Sequence, residues 1–269
     1  MERKCDYIPL SKQPLILVLC QVRFSQIELM SNYIPEIQEE FRRHGYPNFK
    51  AGKIQQVSFG PNGIIQASDQ ERWEFRNKEE NTSIIVLKDS FVLQTTAYGK
   101  FEDFAEQLKL VSETILSKTE HDQFGRVNRI GLRYIDLIQP RKGEDFRDYL
   151  RSGFHGMSDD VFNPGTGRAR VEYAGRTDVD GNVGTMVVRV SQNDKGKDLP
   201  PDLIATAPKR AKRVEKDDLV TFVDIDHYLQ GDFEPQAELI KKNAYLLHDH
   251  IIDTFHKHVV TEKAVEVWK

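Results

Sequence analysis

Arg129-Ile-Gly-Leu-Arg-Tyr-Ile-Asp136 alternates without a break, placing Ile130, Leu132 and Tyr134 on one side of an extended chain and Arg129, Gly131 and Arg133 on the other. The period of two makes this a strand with one apolar face. Arg133 stands in its middle, where a guanidinium either reaches water along its stem or fills its fork of donors with carboxylates. The stretch also opens the second copy of a pattern used earlier in the chain, and that repetition constrains the fold more than any other feature.

In the first copy, Pro14 starts the strand Leu15–Phe24, apolar through its first half and then alternating Cys20, Val22 and Phe24 against Gln21 and Arg23. Ile34, Ile37 and Phe41 fall at helical spacing over Ile34–His44, with Pro35 suited to a first turn and Gly45 to the stop. Strands are predicted over Lys53–Phe59, Arg72–Arg76, Ser83–Leu87 and Phe91–Tyr98, with a Gly-Pro-Asn-Gly turn at Gly60–Gly63. Strands this close in sequence pair antiparallel. The long helix Lys100–Lys118 carries the stripe Phe101, Phe104, Ala105, Leu108, Val111 and Ile115. A polar run, Thr119–Gly125, then marks a boundary.

The order repeats after it. Strand Arg129–Ile138 is followed by a short helix over Glu144–Arg151, strands Ala169–Ala174, Thr185–Ser191 and Val220–Tyr228, and the long helix Pro235–His258. Val22-Arg23-Phe24 answers Leu132-Arg133-Tyr134, and Phe91–Tyr98 answers Thr221–Tyr228. The predicted fold is α+β in two similar halves, each an antiparallel sheet with one short and one long helix packed on it. The halves span residues 1–125 and 126–269, the second carrying a polar and basic loop at 192–218. Two such sheets would meet at a concave crease.

The matching pieces resemble a known family. Pro14-Leu15, Cys20–Phe24, Trp73-Glu74-Phe75, Leu93–Tyr98, Arg129–Asp136 and Asp224-Ile225-Asp226 keep the order found in an uncharacterised, sporadically distributed bacterial protein family of about 260 residues. That family tends to have Asn where this chain has Asp136, and often Glu where it has Gln94. The resemblance brings no established activity. Its sporadic distribution implies a mobile defence or toxin–antitoxin-type context, with antiviral defence as one form.

The 269 residues are 39% hydrophobic, enough for a substantial core, and carry a net charge of −4, so no global basic field draws in nucleic acid. The longest apolar run, Leu15–Cys20, is far too short to span a bilayer, and the N-terminus lacks a secretory layout; a cytoplasmic protein without a membrane partner is expected. Two cysteines make neither a disulfide framework nor a metal-ligand spacing. Cys20 reads as a small core residue and Cys5 as exposed.

Candidate site residues are few. Asp224 and Asp226 lie on one strand face about 7 Å apart. They either share a divalent metal, with Asp136 or His227 as the nearest further ligand although His227 points to the opposite face, or pair with Arg133 or Arg23 and brace the sheet. His248, His250, His256 and His258 lack the spacing of four that zinc needs and suit a helix C-terminus instead. Asp178-Val-Asp-Gly-Asn182 lacks the later ligands of a calcium loop and reads as a hairpin turn at Asp180-Gly181, while Asn163–Gly167 lacks the Lys-Ser of a phosphate loop. Lys209, Arg210, Lys212 and Arg213 form the one dense basic patch, either a solvated loop or a phosphate grip.

No complete catalytic motif or cofactor signature emerges. The sequence therefore points to a non-catalytic binding or interaction protein acting as regulator or adaptor, with Arg133, Tyr134, Asp224, Asp226 and the basic patch as candidate contacts. Its expected partner is another protein or a second copy of the chain, with nucleic acid reached through the basic loop. The alternative is a metal-dependent nuclease or phosphodiesterase using Asp224 and Asp226.

Overall fold

The computed structural model describes residues 10–59, 65–157, 170–195, 199–210, 214 and 219–269. Nine strands are present among them: β1 Leu15–Phe24, β2 Asn48–Phe59, β3 Ile65–Arg76, β4 Thr82–Val86, β5 Ser90–Thr95, β6 Val127–Ile138, β7 Arg170–Val179, β8 Asn182–Lys195 and β9 Leu219–Phe233. All join one antiparallel sheet in the order β2-β3-β4-β5-β1-β6-β9-β8-β7. The protein is α+β as expected, but it does not have two sheets facing across a crease. β1 pairs directly with β6, Cys20 opposite Leu132 and Val22 opposite Ile130, so the residues before and after the 119–125 boundary share a single sheet. Both strands carry unpaired backbone donors and acceptors that burial would leave unsatisfied, and pairing with each other satisfies them.

One sheet face is covered by α1 Met30–Arg43, α2 Phe101–Lys118 and α4 Ala237–Thr254. Their stripes, among them Ile37 and Phe41, Leu108 and Val111, Ala244 and Leu247, meet Val18, Cys20, Val22, Ile130, Leu132 and Ile225 from the strands in one core. Alternation decides which strand residues enter it. α2 and α4 lie side by side, with Phe101 edge-on to Tyr245 at 4.9 Å between ring centres. Cys20 is fully buried within this core.

The other face is covered in part by the segment 199–210, which explains why the first half of β1 is apolar at every position. Leu17 is buried against Ile135, Leu199, Leu203, Val220 and Phe222 on this side, while Val18 is buried on the helix side. The segment is pinned by Gln94 Nε2 donating to Thr206 O at 2.6 Å, Thr96 Oγ1 to Lys209 O at 2.5 Å, and Lys209 N to Glu80 O at 2.8 Å. The predicted loop 192–218 is thus interrupted: its first residues belong to β8, and 199–210 packs on the sheet.

Other boundaries differ for local reasons. The short helix predicted over Glu144–Arg151 is two single 3₁₀ turns, Phe146–Asp148 and Ser152–Phe154, since so short a segment cannot offset helix nucleation. α1 begins at Met30, so Pro35 lies inside it rather than in its first turn. The last helix stops at Thr254, continues as a wide turn over Phe255–Val259, and is followed by α5 Glu262–Trp268, which Thr261 caps by accepting from Ala264 N at 3.1 Å. The hairpin turn at Asp180-Gly181 is present, with φ of +52° and +80°, and between Ser117 and Val127 the short helix α3 His121–Phe124 fills the polar boundary. Cys5, the Gly60–Gly63 turn and Asn163–Gly167 lie outside the described residues.

Candidate functional site

The register of β6 against β9 sets Arg133 opposite Asp226 and Ile135 opposite Asp224, so both aspartates stand on the face turned away from the helices. Arg133 fills its fork there. Nε and Nη2 donate to the two carboxylate oxygens of Asp224, each at 2.8 Å, and Nη1 donates to Asp202 Oδ2 of the covering segment at 2.7 Å. Burial opposes the Arg133 charge, but these carboxylates outweigh it and raise its pKa. Asp226 lies 3.6 Å from Arg129 Nη2, and Arg129 also donates to Gln21 Oε1 at 2.9 Å and sits 4.4 Å over the Tyr228 ring.

This array is a brace between strands and covering segment. Asp136 takes no part in it, because Asp136 follows Tyr134 on the helix face. His227 also points to that face, where it is buried against Thr177 Oγ1 at 2.8 Å. The expected third ligand for a metal at Asp224 and Asp226 is therefore on the wrong side of the sheet. Among the described residues no group of three or more His, Cys, Asp or Glu side chains is placed to hold a metal ion.

The basic patch is only partly within view. Lys209 is exposed and held by its backbone, Arg210 is half-buried beside Lys12 and Arg141 in a cavity of about 530 Å³, and Lys212 and Arg213 lie outside the described residues.

A second cavity, of about 360 Å³, is better built for a ligand. β6 contributes Tyr134 and Asp136, two residues apart on its inward face. α4 contributes His248, Ile251 and Ile252 at helical spacing, and the wide turn after it adds Phe255. Tyr98 comes from the connection between β5 and α2, Phe101 from the first residue of α2, Leu10 from the lead into β1 and Leu15 from its first residue. Most of this wall is apolar.

The polar groups in the wall fall into two sets. Tyr134 Oη is 2.7 Å from His248 Nδ1 and 3.4 Å from Tyr98 Oη, and the His248 ring stacks on Phe101 with 4.0 Å between centres. These side chains satisfy one another, and burial pushes the Tyr98 hydroxyl up to about 12. Asp136 is different. It is 4% exposed, and no described residue hydrogen-bonds to or ion-pairs with its carboxylate. Burial pushes its pKa up to about 8, so at neutral pH it is chiefly a carboxylic acid, with no acceptor for its proton among the described residues.

Tyr134 thus belongs to the cavity and Arg133, Asp224 and Asp226 to the brace, two sites on opposite faces of one strand pair. The inward placement of Asp136 was legible in the alternation of the strand. His248 had no such signal: it flanks the apolar stripe of its helix, and only the packing of α4 on β6 and α2 aims it at Tyr134 rather than at a helix C-terminus.

The chain matches no protein-family model and no curated protein. Among the described residues no helix is long and apolar enough to cross a membrane.

Proposed function

We propose that the chain is a non-catalytic binding protein whose ligand occupies the cavity between α4, the start of α2 and the inward face of β6. The observation that carries this reading is Asp136, a carboxyl only 4% exposed that lines a mostly apolar cavity and has no hydrogen-bond or ion-pair partner among the described residues. A buried polar group left unsatisfied costs about 1–3 kcal/mol, and perturbed groups of this kind concentrate at functional sites. A ligand that completes the hydrogen bonding of Asp136 recovers that cost on binding. Tyr134 and His248 hold each other's polar atoms and so act as fixed wall rather than as an acid–base pair.

The regulator or adaptor role, and the defence or toxin–antitoxin setting, rest on the family resemblance and belong to the same proposal. On it, an occupied cavity alters how the protein meets a partner protein or a second copy. The nuclease or phosphodiesterase alternative gains nothing from the arrangement, since Arg133 engages Asp224 bidentately and Asp136 faces the other way.

We also propose that the halves arose by duplication. The sheet order supports it: with β1 matched to β6, β5 to β9, β4 to β8 and β3 to β7, the order reads alike from either side of the β1–β6 pair.

The ligand reading is tested by filling the cavity. Ile251→Trp is expected to abolish binding of small-molecule fragments detected by ligand-observed NMR, with the folded spectrum retained. Fragment binding that survives unchanged in this variant overturns the proposal.

A further inference from the structure

We infer that the cavity takes a small organic cation, an ammonium group on an apolar body, with Asp136 as its counter-ion. The inference rests on the ligand-pocket reading above and deepens it.

Titratable and charged groups face the cavity from each element around it: Tyr134 from β6, Tyr98, Lys100 and Glu102 from the start of α2, His248 from α4 and His256 from the turn that follows. Lys100 and Glu102 are exposed, at the rim, and among the described residues no cation pairs with Asp136, whose pKa burial raises. A carboxyl so placed is completed either by a ligand that accepts its proton in a hydrogen bond or by one that brings a positive charge.

The rest of the wall favours the charge. Tyr98, Tyr134, Phe101 and Phe255 line the same space, and aromatic faces attract cations. The hydroxyl oxygens of Tyr98 and Tyr134 lie close together and keep lone pairs that an ammonium can donate to. An ion pair formed out of water is also stronger than one at the surface. The body of the ligand meets Leu10, Leu15, Ile251 and Ile252, and at ~30 Å³ per water the space matches about a dozen non-hydrogen atoms. An anionic ligand gains only the Asp136 proton as a hydrogen-bond donor and no opposite charge beside it, so the cation is favoured over it.

Three matched probes test this: 2-phenylethylammonium, 2-phenylethanol and phenylacetate, titrated calorimetrically into the full chain and into Asp136→Asn. The ammonium is expected to bind the unaltered protein at least about tenfold more tightly than the alcohol, and phenylacetate not measurably. In Asp136→Asn the ammonium advantage collapses to within about twofold while the alcohol still binds. Because Asp136 must ionise to pair, ammonium binding at pH 7 releases protons, read from the difference between buffers of unlike ionisation enthalpy; the alcohol releases none.

Equal affinity for ammonium and alcohol, or an ammonium preference that survives Asp136→Asn, overturns the cation assignment and leaves the pocket standing. If none of the three binds, or if binding persists in Ile251→Trp, the pocket reading falls together with it.

Discussion

Replacing Asp136 by Asn removes one proton-binding group and little else, because the side chains are alike in size and no described residue hydrogen-bonds to the carboxyl of Asp136. In the folded protein Asp136 keeps its proton to about pH 8, against 3.8 for an ordinary aspartate. Below 3.8 the group is protonated in both folded and unfolded chains and contributes nothing. Between 3.8 and 8 the unfolded chain has released the proton that the folded chain still holds, so stability falls as pH rises, by ~1.4 kcal/mol per pH unit. At pH 7 the accumulated cost is about 4 kcal/mol; above pH 8 both states are ionised and the cost is constant.

Asn does not titrate. The stability of Asp136→Asn relative to the unaltered protein is therefore expected to grow from pH 5 to pH 8 and then level, measured by urea unfolding at half-unit intervals. Buried His227, with its pKa pushed down to about 4, has the opposite slope, stability being lost as pH falls from 6.5 towards 4, but it is common to both proteins and cancels in the difference. A difference that is the same at pH 5 and pH 8, or a variant less stable at pH 8, refutes the claim that the carboxyl is buried without a partner.

The brace on the opposite face yields a double-mutant cycle. Arg133→Met leaves Asp224 with only Arg189 Nη1, at 3.5 Å, as a cation and is expected to cost about 3 kcal/mol in denaturant unfolding, whereas Arg133→Met combined with Asp224→Leu recovers most of that loss, with Asp224→Leu alone closing the cycle. At Gly184 an added Cβ would come within 2.5 Å of Thr177 Oγ1 and 2.8 Å of Val179 Cγ2, so Gly184→Ala is expected to lower stability by about 1–3 kcal/mol on a thermal melt. Cys20, fully buried with its thiol pushed up to about 12, is expected to react with a thiol reagent only as fast as the protein unfolds, followed in a Cys5→Ser background; labelling within seconds under native conditions would contradict its placement.

Local periodicity accounts for what was legible in the sequence. Strand alternation assigned Val22, Ile130, Leu132 and Tyr134 to the core, helical spacing assigned the stripes of α2 and α4, and Asp-Gly marked the hairpin at Asp180-Gly181, each because the pattern repeats over neighbouring residues. The helix boundaries moved where a short segment had to choose between turn types, as at Glu144–Arg151, a choice made by packing rather than by pattern.

The sequence by itself determined that Arg133 and Asp136 stand on opposite faces of one strand, because a period of two allows nothing else. Tertiary structure decided their fates: which acids meet Arg133, and that no cation among the described residues pairs with Asp136, depend on β9, the 199–210 segment and α4, all far along the chain. The same holds for the single sheet, since the β1–β6 pairing joins residues more than a hundred positions apart. Electrostatics and sheet pairing act through space, and a sequence records only the order along the chain.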